Sequence, residues 1–252
     1  GHIMTKRFIE PIEMLAVDVE KVSEIQAYPE IQPFIETINQ QHRELKRNSK
    51  MRQEFTANVS HELKTPLTSI SGYAELIESG IAQGEDTVRF AGEIHKSSQR
   101  LLTLINDILR LSQLDSVEEC VDTEAVDLYE MALNCRDMLE MQANKHHVVV
   151  RVKGDTEVIQ ANRRMMEELI YNLCDNAIRY NHSGGSVNVT IGKEDQHPFV
   201  AVKDTGIGVS KEDQERIFER FYRVDKSRSK QTGGTGLGLA IVKHIAVMHK
   251  AE

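Results

Sequence analysis

The sequence predicts an all-α helical hairpin that pairs with a second copy into a dimeric four-helix bundle, followed by a two-layer α/β (α+β) domain. Two long windows, 34–78 and 86–115, place apolar residues three and four positions apart, and the turn-forming stretch ESGIAQGED separates them. After SVEECVD, short β-branched runs alternate with helical windows, a pattern typical of helices packed on a sheet.

Length and composition limit the possible functions. At 252 residues the chain is long enough for about two domains. Its net charge of -8 argues against nucleic acid as a partner, because phosphate binding favours a basic surface. Three widely spaced cysteines without a Cys-x-x-Cys pair indicate neither a disulfide framework nor a zinc site. No apolar run reaches the roughly 18 residues of a membrane span.

We divide the chain into four parts. Residues 1–4, GHIM, have the composition of a tag remnant, and residues 5–50 are polar and compatible with a membrane-proximal helical linker. The hairpin occupies 51–116, and the second domain occupies 117–252.

The first hairpin helix contains an unexpected combination of residues in the stretch SHELKTPL. Proline inside a helix costs about 3 kcal/mol, because it removes a hydrogen bond and its ring collides with the preceding turn. Pro66 nevertheless follows the ionisable pair His61 and Glu62 within an amphipathic pattern. This combination indicates a chemical role or a functional bend in the segment.

The second hairpin helix supports a homodimer. Its apolar residues recur at helical steps, at Ile94, Leu101, Ile105, Ile108 and Leu111 or Leu114. A single hairpin buries only one face of each helix, so two hairpins are needed to complete a four-helix core.

Strands are predicted only in the second domain. The stretches HHVVVRVKG, GSVNVTIG and HPFVAVKD are β-branched and bounded by Gly, Asp or Pro. The windows 126–144 and 162–179 predict the accompanying helices.

The stretch NLCDNAIRYN places three polar side chains on one helical face. Asn172 and Asn176 are one turn apart, and Arg179 follows three residues later. Amide oxygens and a cation in this arrangement suit a polyphosphate bound to magnesium, which prefers oxygen ligands. A polar, solvated helix face is the alternative interpretation.

The stretch VKDTGIGVS follows a predicted strand and has features of a base-recognition loop. Asp204 ends the strand, where a carboxylate can accept a hydrogen bond from an adenine amino group. Gly206 and Gly208 permit close approach of a ligand to the backbone. An ordinary turn after a strand is the alternative interpretation.

The stretch TGGTGLGLAIVKHI joins a glycine-rich run directly to an apolar helix. Exposed backbone N–H groups at a helix N-terminus form an anion site. The stretch is not the G-x-x-x-x-G-K-[ST] phosphate loop, because no lysine and hydroxyl residue follow in register. The preceding segment, 215–231, carries aromatic anchors and a basic end, which is typical of a lid over a ligand.

Five stretches in this order, SHELKTPL, NLCDNAIRY, DTGIG, FERFYR and GGTGLGLAIV, closely resemble the motifs of a sensor histidine kinase of a two-component system. The resemblance covers 52–250. It implies a dimeric hairpin that carries the phosphoacceptor His61, and a gyrase-like ATP-binding sandwich. It also implies ATP and Mg²⁺ as cofactors, and an aspartate of a response regulator as the next phosphoryl acceptor.

The resemblance assigns roles in the ATP-binding domain by position. Asn176 would be a magnesium ligand with Asn172 beside it, and Asp204 would hold the adenine amino group. Arg179 and Tyr180 would lie near the phosphates or the ribose. The remaining predicted contacts with the nucleotide are Gly206, Gly208, Arg223 at the γ-phosphate, and Gly234, Gly236 and Gly238 along the triphosphate.

Three hairpin residues are predicted to act in catalysis. His61 needs a neutral imidazole nitrogen to attack phosphorus, and Glu62 can hold the proton of the other nitrogen, a role worth about 10²- to 10⁴-fold in rate. Pro66 has no N–H group, so the carbonyl of Glu62 loses the hydrogen bond that residue 66 would otherwise donate to it. The helix can therefore bend there. Thr65 resembles the position that orients a dephosphorylating water in related kinases, which predicts a bifunctional kinase and phosphatase. A helix-stabilising bystander is the alternative for Thr65.

The two ends of the chain suggest a longer parent. Relatives usually continue after HIAVMHKAE with two further strands, so we expect C-terminal strands of the ATP-binding domain to be missing here. The amino end resembles a cytoplasmic linker, which predicts the cytoplasmic portion of a bacterial inner- or plasma-membrane sensor that reaches the membrane only through absent segments. A gyrase-like ATPase without a phosphohistidine, and a degenerate kinase acting as a scaffold, are the alternative functions.

Overall fold

The computed structural model describes residues 32–116, 122–224 and 234–251. The chain forms two compact units, Gly1–Lys64 and Thr65–Glu252. The predicted tag remnant, most of the predicted linker and the predicted domain boundary near 117–121 lie outside the described residues. In the part of the chain that is described, no helix combines the length and apolarity needed to cross a membrane.

The predicted helical hairpin is confirmed. Helix α1 (Gln32–Glu78) contains Pro66 and is followed by α2 (Glu85–Ser116). Gly80 and Gly84 form the turn with φ values of 73° and 57°, which glycine adopts without steric cost. Next to the turn, the rings of Tyr73 and Phe90 lie 5.2 Å apart between centroids. The hairpin is therefore closed by a glycine turn and an aromatic pair.

The second domain alternates strands and helices, as predicted. Its elements are β1 (Glu124–Asp127), α3 (Leu128–His146), β2 (Val149–Gly154), β3 (Val158–Ala161), α4 (Arg163–Arg179), β4 (Ser186–Glu194), β5 (His197–Asp204) and α5 (Gly238–Met248). The main sheet has the order β2-β4-β5, in which β4 pairs parallel to β2 and antiparallel to β5. All three strands of this sheet coincide with predicted runs. The short antiparallel pair β1-β3 was not predicted, because four residues are too few to show a period.

Helices α3, α4 and α5 form the second layer. Along β4, Val187, Val189 and Ile191 are buried while the residues between them are half-buried. The buried face of α4 includes Ile170 and Ile178, and α4 packs on β4, β5 and both neighbouring helices. This packing holds α4, with its polar face, at the centre of the domain.

Capping residues account for the helix starts in this domain. The carboxylate of Asp127 accepts a hydrogen bond of 2.9 Å from the N–H of Tyr129, and the amide oxygen of Asn162 accepts one of 3.1 Å from the N–H of Met165. Helix α3 thus begins two residues after its predicted start at 126, because Asp127 caps the helix from outside.

Candidate functional site

Tyr180, at the end of α4, brings three predicted motifs together. Its N–H donates to the carbonyl of Asn176 at 3.0 Å, and its carbonyl accepts from the N–H of Ile207 at 3.1 Å. A side chain at Gly206 would collide with the Tyr180 carbonyl, and a Cβ at Gly234 would lie 3.0 Å from the Tyr180 hydroxyl oxygen. The helix end, the DTGIG loop and the glycine-rich loop therefore form one site.

The polar face of α4 borders the start of α5. Asn172 donates from Nδ2 to the carbonyl of Glu168 at 2.8 Å, which leaves its Oδ1 directed toward Gly238. A Cβ at Gly238 would lie 2.8 Å from that oxygen, so glycine is needed for the close approach. Asn176 is half-buried one turn later on the same helix. The amide of Asn172 thus lies beside the helix N-terminus that was predicted to bind anions, and Asn176 follows it on the same helix.

Arg179 is oriented by an acidic neighbour. Its Nε donates to Oδ2 of Asp175 at 2.6 Å, and both side chains are largely buried. Asp175 also accepts from Nε2 of Gln142 on α3 at 2.5 Å. These contacts fix the Arg179 guanidinium at the end of α4, where the sequence predicted a cation near the phosphates or the ribose.

Asp204 lies at the end of β5, as predicted. Its Oδ1 accepts from the N–H of Gly206 at 2.8 Å, and its side chain is exposed. Gly208 follows with a φ of 69°. Thr205 anchors the loop, because its hydroxyl donates to Oδ1 of Asn181 at 3.0 Å and accepts from the N–H of Ser186 at 2.9 Å. An exposed carboxylate on a fixed loop can recognise an amino group of a base.

Arg223 lies against the glycine-rich loop. Its Nη2 donates to the carbonyl of Gly234, and the N–H of Phe221 donates to the carbonyl of Gly236 at 2.9 Å. Gly236 has a φ of 74°, and any side chain there would press on the backbone of Phe221. The cation from the predicted lid is thus placed at the loop predicted to bind phosphate. The rest of the predicted lid, 225–231, lies outside the described residues.

Sequence reasoning missed the polar contacts between α2 and the second domain. Among them, side-chain pairs join Thr235 to Asp107 at 2.6 Å, Arg110 to Glu168 at 2.6 Å, and Arg220 to Asp115 at 2.7 Å. Leu111 and Leu114, both 1% exposed, lie between these polar residues in the sequence. The recurrence of Asp107, Arg110 and Asp115 next to buried leucines was the available signal, but the sequence alone does not identify their partners.

The carboxyl group of Asp107 is expected to make stability depend on pH. Burial raises its pKa above 3.8, and the charges of Glu168 and Asp175 raise it further, against the opposing effects of Thr235 and Arg179. As pH rises from 3.8 toward the folded-state pKa, the unfolded chain loses this proton and the folded chain keeps it, so stability falls.

Replacing Asp107 by asparagine tests this expectation. The amide oxygen can still accept from Thr235, and the ionisation is removed. We compare the melting temperature of Asp107→Asn with that of the unmutated chain. The difference should grow in favour of Asp107→Asn as pH rises from 3.8 to the folded-state pKa, and it should persist at higher pH. Asp137→Asn, an exposed carboxylate on α3, is the matched control and should show no such trend. A constant difference between Asp107→Asn and the unmutated chain at all pH values would contradict the expectation.

The predicted catalytic residues of the hairpin lie on α1. His61 is exposed and Glu62 is half-buried, both in the first unit, whereas Thr65 is the exposed first residue of the second unit. The spacing of one helical turn from His61 to Thr65 follows from the continuous helix.

The donor set of the candidate site fits magnesium only with help from a nucleotide. Within the described ranges, no three His, Cys, Asp or Glu side chains gather where they could hold a metal ion. The amides of Asn172 and Asn176 offer oxygen atoms, which magnesium prefers, and the remaining ligands would be phosphate oxygens and water.

Family models match both parts of the chain. The His Kinase A (phospho-acceptor) domain matches residues 51–117, and the histidine kinase-, DNA gyrase B- and HSP90-like ATPase matches residues 161–252. The chain belongs to the sensor histidine kinases. The resemblance seen in the sequence is confirmed, with a phosphoacceptor domain followed by a domain of the ATPase family.

Individual relatives agree with this family. The chain is 40% identical over 203 residues to the sensor-like histidine kinase SenX3 of Mycolicibacterium smegmatis, a match that covers 80% of the chain and 53% of SenX3. More generally, the chain spans from a third to just over half of the length of the curated relatives it matches.

Solved structures share the fold. The histidine kinase AdeS of Acinetobacter baumannii matches with a TM-score of 0.61 and 25% identity, covering 75% of this chain and 86% of AdeS. The histidine kinase ThkA, solved in complex with the response regulator protein TrrA, matches with a TM-score of 0.61 and 22% identity, covering 76% of this chain and 57% of ThkA. The predicted order of helical hairpin and α/β ATPase domain is confirmed.

Proposed function

We propose that this kinase transfers the γ-phosphoryl group of ATP to His61 and then passes it to an aspartate of a response regulator. The meeting of three motifs at Tyr180 carries the proposal, because it joins amide oxygens, a helix N-terminus and an arginine in one site. These are the groups needed to bind and neutralise a triphosphate. The exposed His61, within the phosphoacceptor domain, supplies the nucleophile.

Each group of the nucleotide has a proposed partner. Asp204 would accept from the adenine amino group, while Tyr180 and Arg179 would lie near the ribose or the phosphates. The loop containing Gly234, Gly236 and Gly238 would follow the triphosphate, and Gly206 and Gly208 would allow the nucleotide to approach the backbone. Arg223 would neutralise charge that develops on the γ-phosphate, the largest contribution expected of a protein in phosphoryl transfer.

Asn176 would be the protein ligand of magnesium, supported by the adjacent Asn172. Magnesium held there would supply positive charge that offsets the negative charge of the phosphates. The half-buried position of Asn176, between Asn172 and Arg179 along α4, suits this role. The backbone N–H groups of the glycine-rich loop would then contact the triphosphate directly, and the amide oxygens would act on it through the metal ion.

At His61, one neutral imidazole nitrogen would attack the γ-phosphorus as the bond to ADP breaks. Glu62 would hold the proton on the other nitrogen and stabilise the cation that develops on the ring. The phosphoryl group would then move from the imidazole to the carboxylate of the response regulator. The structural match to ThkA, which was solved with a response regulator, supports this class of partner.

We further propose that the kinase dephosphorylates its partner, with Thr65 orienting the attacking water. The exposed hydroxyl of Thr65, one helical turn after His61, supports this role. Replacing Thr65 by alanine should abolish release of phosphate from a phosphorylated response regulator but leave labelling of His61 intact. Equal loss of both activities would instead indicate a structural role for Thr65.

The kinase is proposed to act as a homodimer. On α2, Leu102, Ile105 and Leu109 are 60%, 38% and 56% exposed and recur at steps of three and four. A second copy of the hairpin would cover this stripe and complete a four-helix bundle. The described part of the chain thus presents the apolar surface that a dimer requires.

Replacing Leu109 by lysine should dissociate the dimer. Burial of one leucine stabilises by about 1.5–3 kcal/mol, and both copies lose it, so the dimer dissociation constant should rise at least about 100-fold. Sedimentation equilibrium measures the change. Val247→Lys, a 66% exposed apolar residue on α5, is the control and should leave the dimer intact. An unchanged mass for Leu109→Lys would contradict the proposed interface.

The chemical stability of the phosphorylated product tests the proposed function. After incubation with magnesium and γ-labelled ATP, the chain should carry a label that is stable to base and lost in acid, as expected for a phosphohistidine. ATP binding without label would favour an ATPase or a scaffold. An acid-stable label would indicate phosphorylation of a hydroxyl side chain and overturn the proposal.

A further inference from the structure

Asp213 joins the two ends of the segment 210–222, which follows the DTGIG loop. At one end, the hydroxyl of Ser210 donates to Oδ2 of Asp213 at 2.6 Å, and the N–H of Asp213 donates to Oγ of Ser210 at 3.3 Å. At the other end, the hydroxyl of Tyr222 donates to Oδ1 of the same carboxylate. A single carboxylate therefore closes the segment on itself.

Two further contacts fix the orientation of Tyr222. The guanidinium carbon of Arg216 lies 4.2 Å from the centre of the Tyr222 ring, a distance at which a cation and an aromatic face attract each other. The N–H of Tyr222 donates to the carbonyl of Glu219 at 3.2 Å. The hydroxyl, the ring and the backbone of this half-buried tyrosine are thus all held by the segment that precedes it.

The residues on either side of Tyr222 contact the glycine-rich loop. The N–H of Phe221 donates to the carbonyl of Gly236 at 2.9 Å, and Nη2 of Arg223 donates to the carbonyl of Gly234. Phe221 has a φ of 63°, a left-handed conformation that strains a bulky residue and persists only where the surrounding contacts enforce it. The anchored Tyr222 supplies such contacts at the next residue, so it maintains the backbone that carries Arg223.

We propose that Tyr222 is a positioning residue for phosphoryl transfer, and that its bond to Asp213 holds Arg223 in place at the glycine-rich loop. The proposal rests on the proposed function, in which Arg223 neutralises charge that develops on the γ-phosphate. Tyr222 acts only through Arg223 and does not touch the nucleotide. Positioning matters because a displacement of about 1 Å can slow an enzymatic reaction about 100-fold. Loss of the hydroxyl should therefore affect the γ-phosphate and leave the rest of the nucleotide site unchanged.

Replacing Tyr222 by phenylalanine tests the role of the hydroxyl. The variant loses the bond to Asp213 and keeps the ring beside Arg216. With saturating ATP, the rate of labelling by γ-labelled ATP should fall about tenfold, whereas the affinity for ADP, which has no γ-phosphate, should not change. An unchanged labelling rate, or a joint fall in ADP affinity and melting temperature, would overturn the proposal. Tyr129→Phe, which removes the hydroxyl of a half-buried tyrosine on α3, is the matched control and should label at the normal rate.

A double-mutant cycle shows whether Tyr222 acts through Arg223. Arg223→Ala alone should slow labelling at saturating ATP, and adding Tyr222→Phe should slow it no further, because the positioned group is gone. Equal losses from Tyr222→Phe in both backgrounds would contradict a role through Arg223.

Substitutions of Asp213 test the other partner of the bond. Asp213→Asn keeps an oxygen that can accept from the Tyr222 hydroxyl, so this variant should retain most of the labelling rate. Asp213→Ala should lose as much as Tyr222→Phe, and combining the two substitutions should add little. A normal labelling rate in Asp213→Ala would show that the bond does not position Arg223.

Hydrogen exchange tests the positioning in the absence of nucleotide. In Tyr222→Phe, the N–H of Phe221, which is bonded to Gly236, should exchange at least about tenfold faster, while the N–H groups of β4 should exchange at the unmutated rate. Unchanged exchange at Phe221 would overturn the proposal. If the unmutated chain carries no label, the proposed function fails, and the exchange rate at Phe221 still decides whether Tyr222 holds this segment against the glycine-rich loop.

Discussion

Replacing His61 by glutamine is expected to abolish phosphorylation of the kinase while leaving ATP binding unchanged. Glutamine preserves a polar, helix-compatible side chain at an exposed position of α1, so the fold should persist. It has no nitrogen lone pair comparable to that of the neutral imidazole, so the nucleophile is lost. Loss of a nucleophile reduces catalysis by more than about 10³-fold. Incorporation of γ-labelled phosphate and calorimetric titration with ATP measure the two effects.

His95 provides the matched control for this substitution. It is an exposed histidine on α2 of the same hairpin, and His95→Gln should label at the normal rate. Glu62→Gln should bind ATP normally but label about 10²-fold more slowly, because the partner of the developing imidazolium is weakened. Persistent acid-labile label in His61→Gln would show that the acceptor lies elsewhere. ATP hydrolysis without label in the unmutated chain would favour the ATPase interpretation.

The parts of the fold that were predicted from sequence are those in which a helical or strand pattern repeats over many residues. The hairpin helices extend over many turns, and burial along β4 alternates over its first seven residues, so their patterns are unambiguous. The pair β1-β3 has only four residues in each strand, and its pairing depends on elements distant in sequence. Such short strands are set by tertiary packing, which a local pattern does not contain.

The sequence proposed residues for the candidate site but did not show which contacts join them. Asn172, Asn176 and Asp204 were proposed as site residues because each belongs to a motif with a recognisable chemical purpose. The central position of Tyr180, which joins three motifs through its backbone and hydroxyl, depends on the return of the chain after β5. The contact of Asp107 with Thr235 spans 128 positions of sequence, and no local pattern encodes such a separation. Long-range polar contacts are the main part of the site that required coordinates.

Replacing Asn176 by alanine is expected to remove the magnesium-dependent part of ATP binding. The amide of Asn176 is the proposed protein ligand of the ion, and its loss should weaken binding of ATP with magnesium about 100-fold, or about 2.7 kcal/mol. Binding in the presence of a chelator should change little, because the contacts of Asp204 and the glycine-rich loop remain. Calorimetric titration with and without magnesium separates the two contributions.

The difference between these two titrations distinguishes a metal ligand from a residue that only supports α4. A structural defect would lower both affinities and the melting temperature together, whereas loss of a ligand lowers only the affinity measured with magnesium. Asn134→Ala, which removes an exposed amide from α3, is the control and should preserve both affinities. If Asn176→Ala kept the full gain from magnesium, the ion would have to be held by other groups. The half-buried amide of Asn176 would then serve the helix rather than the phosphates.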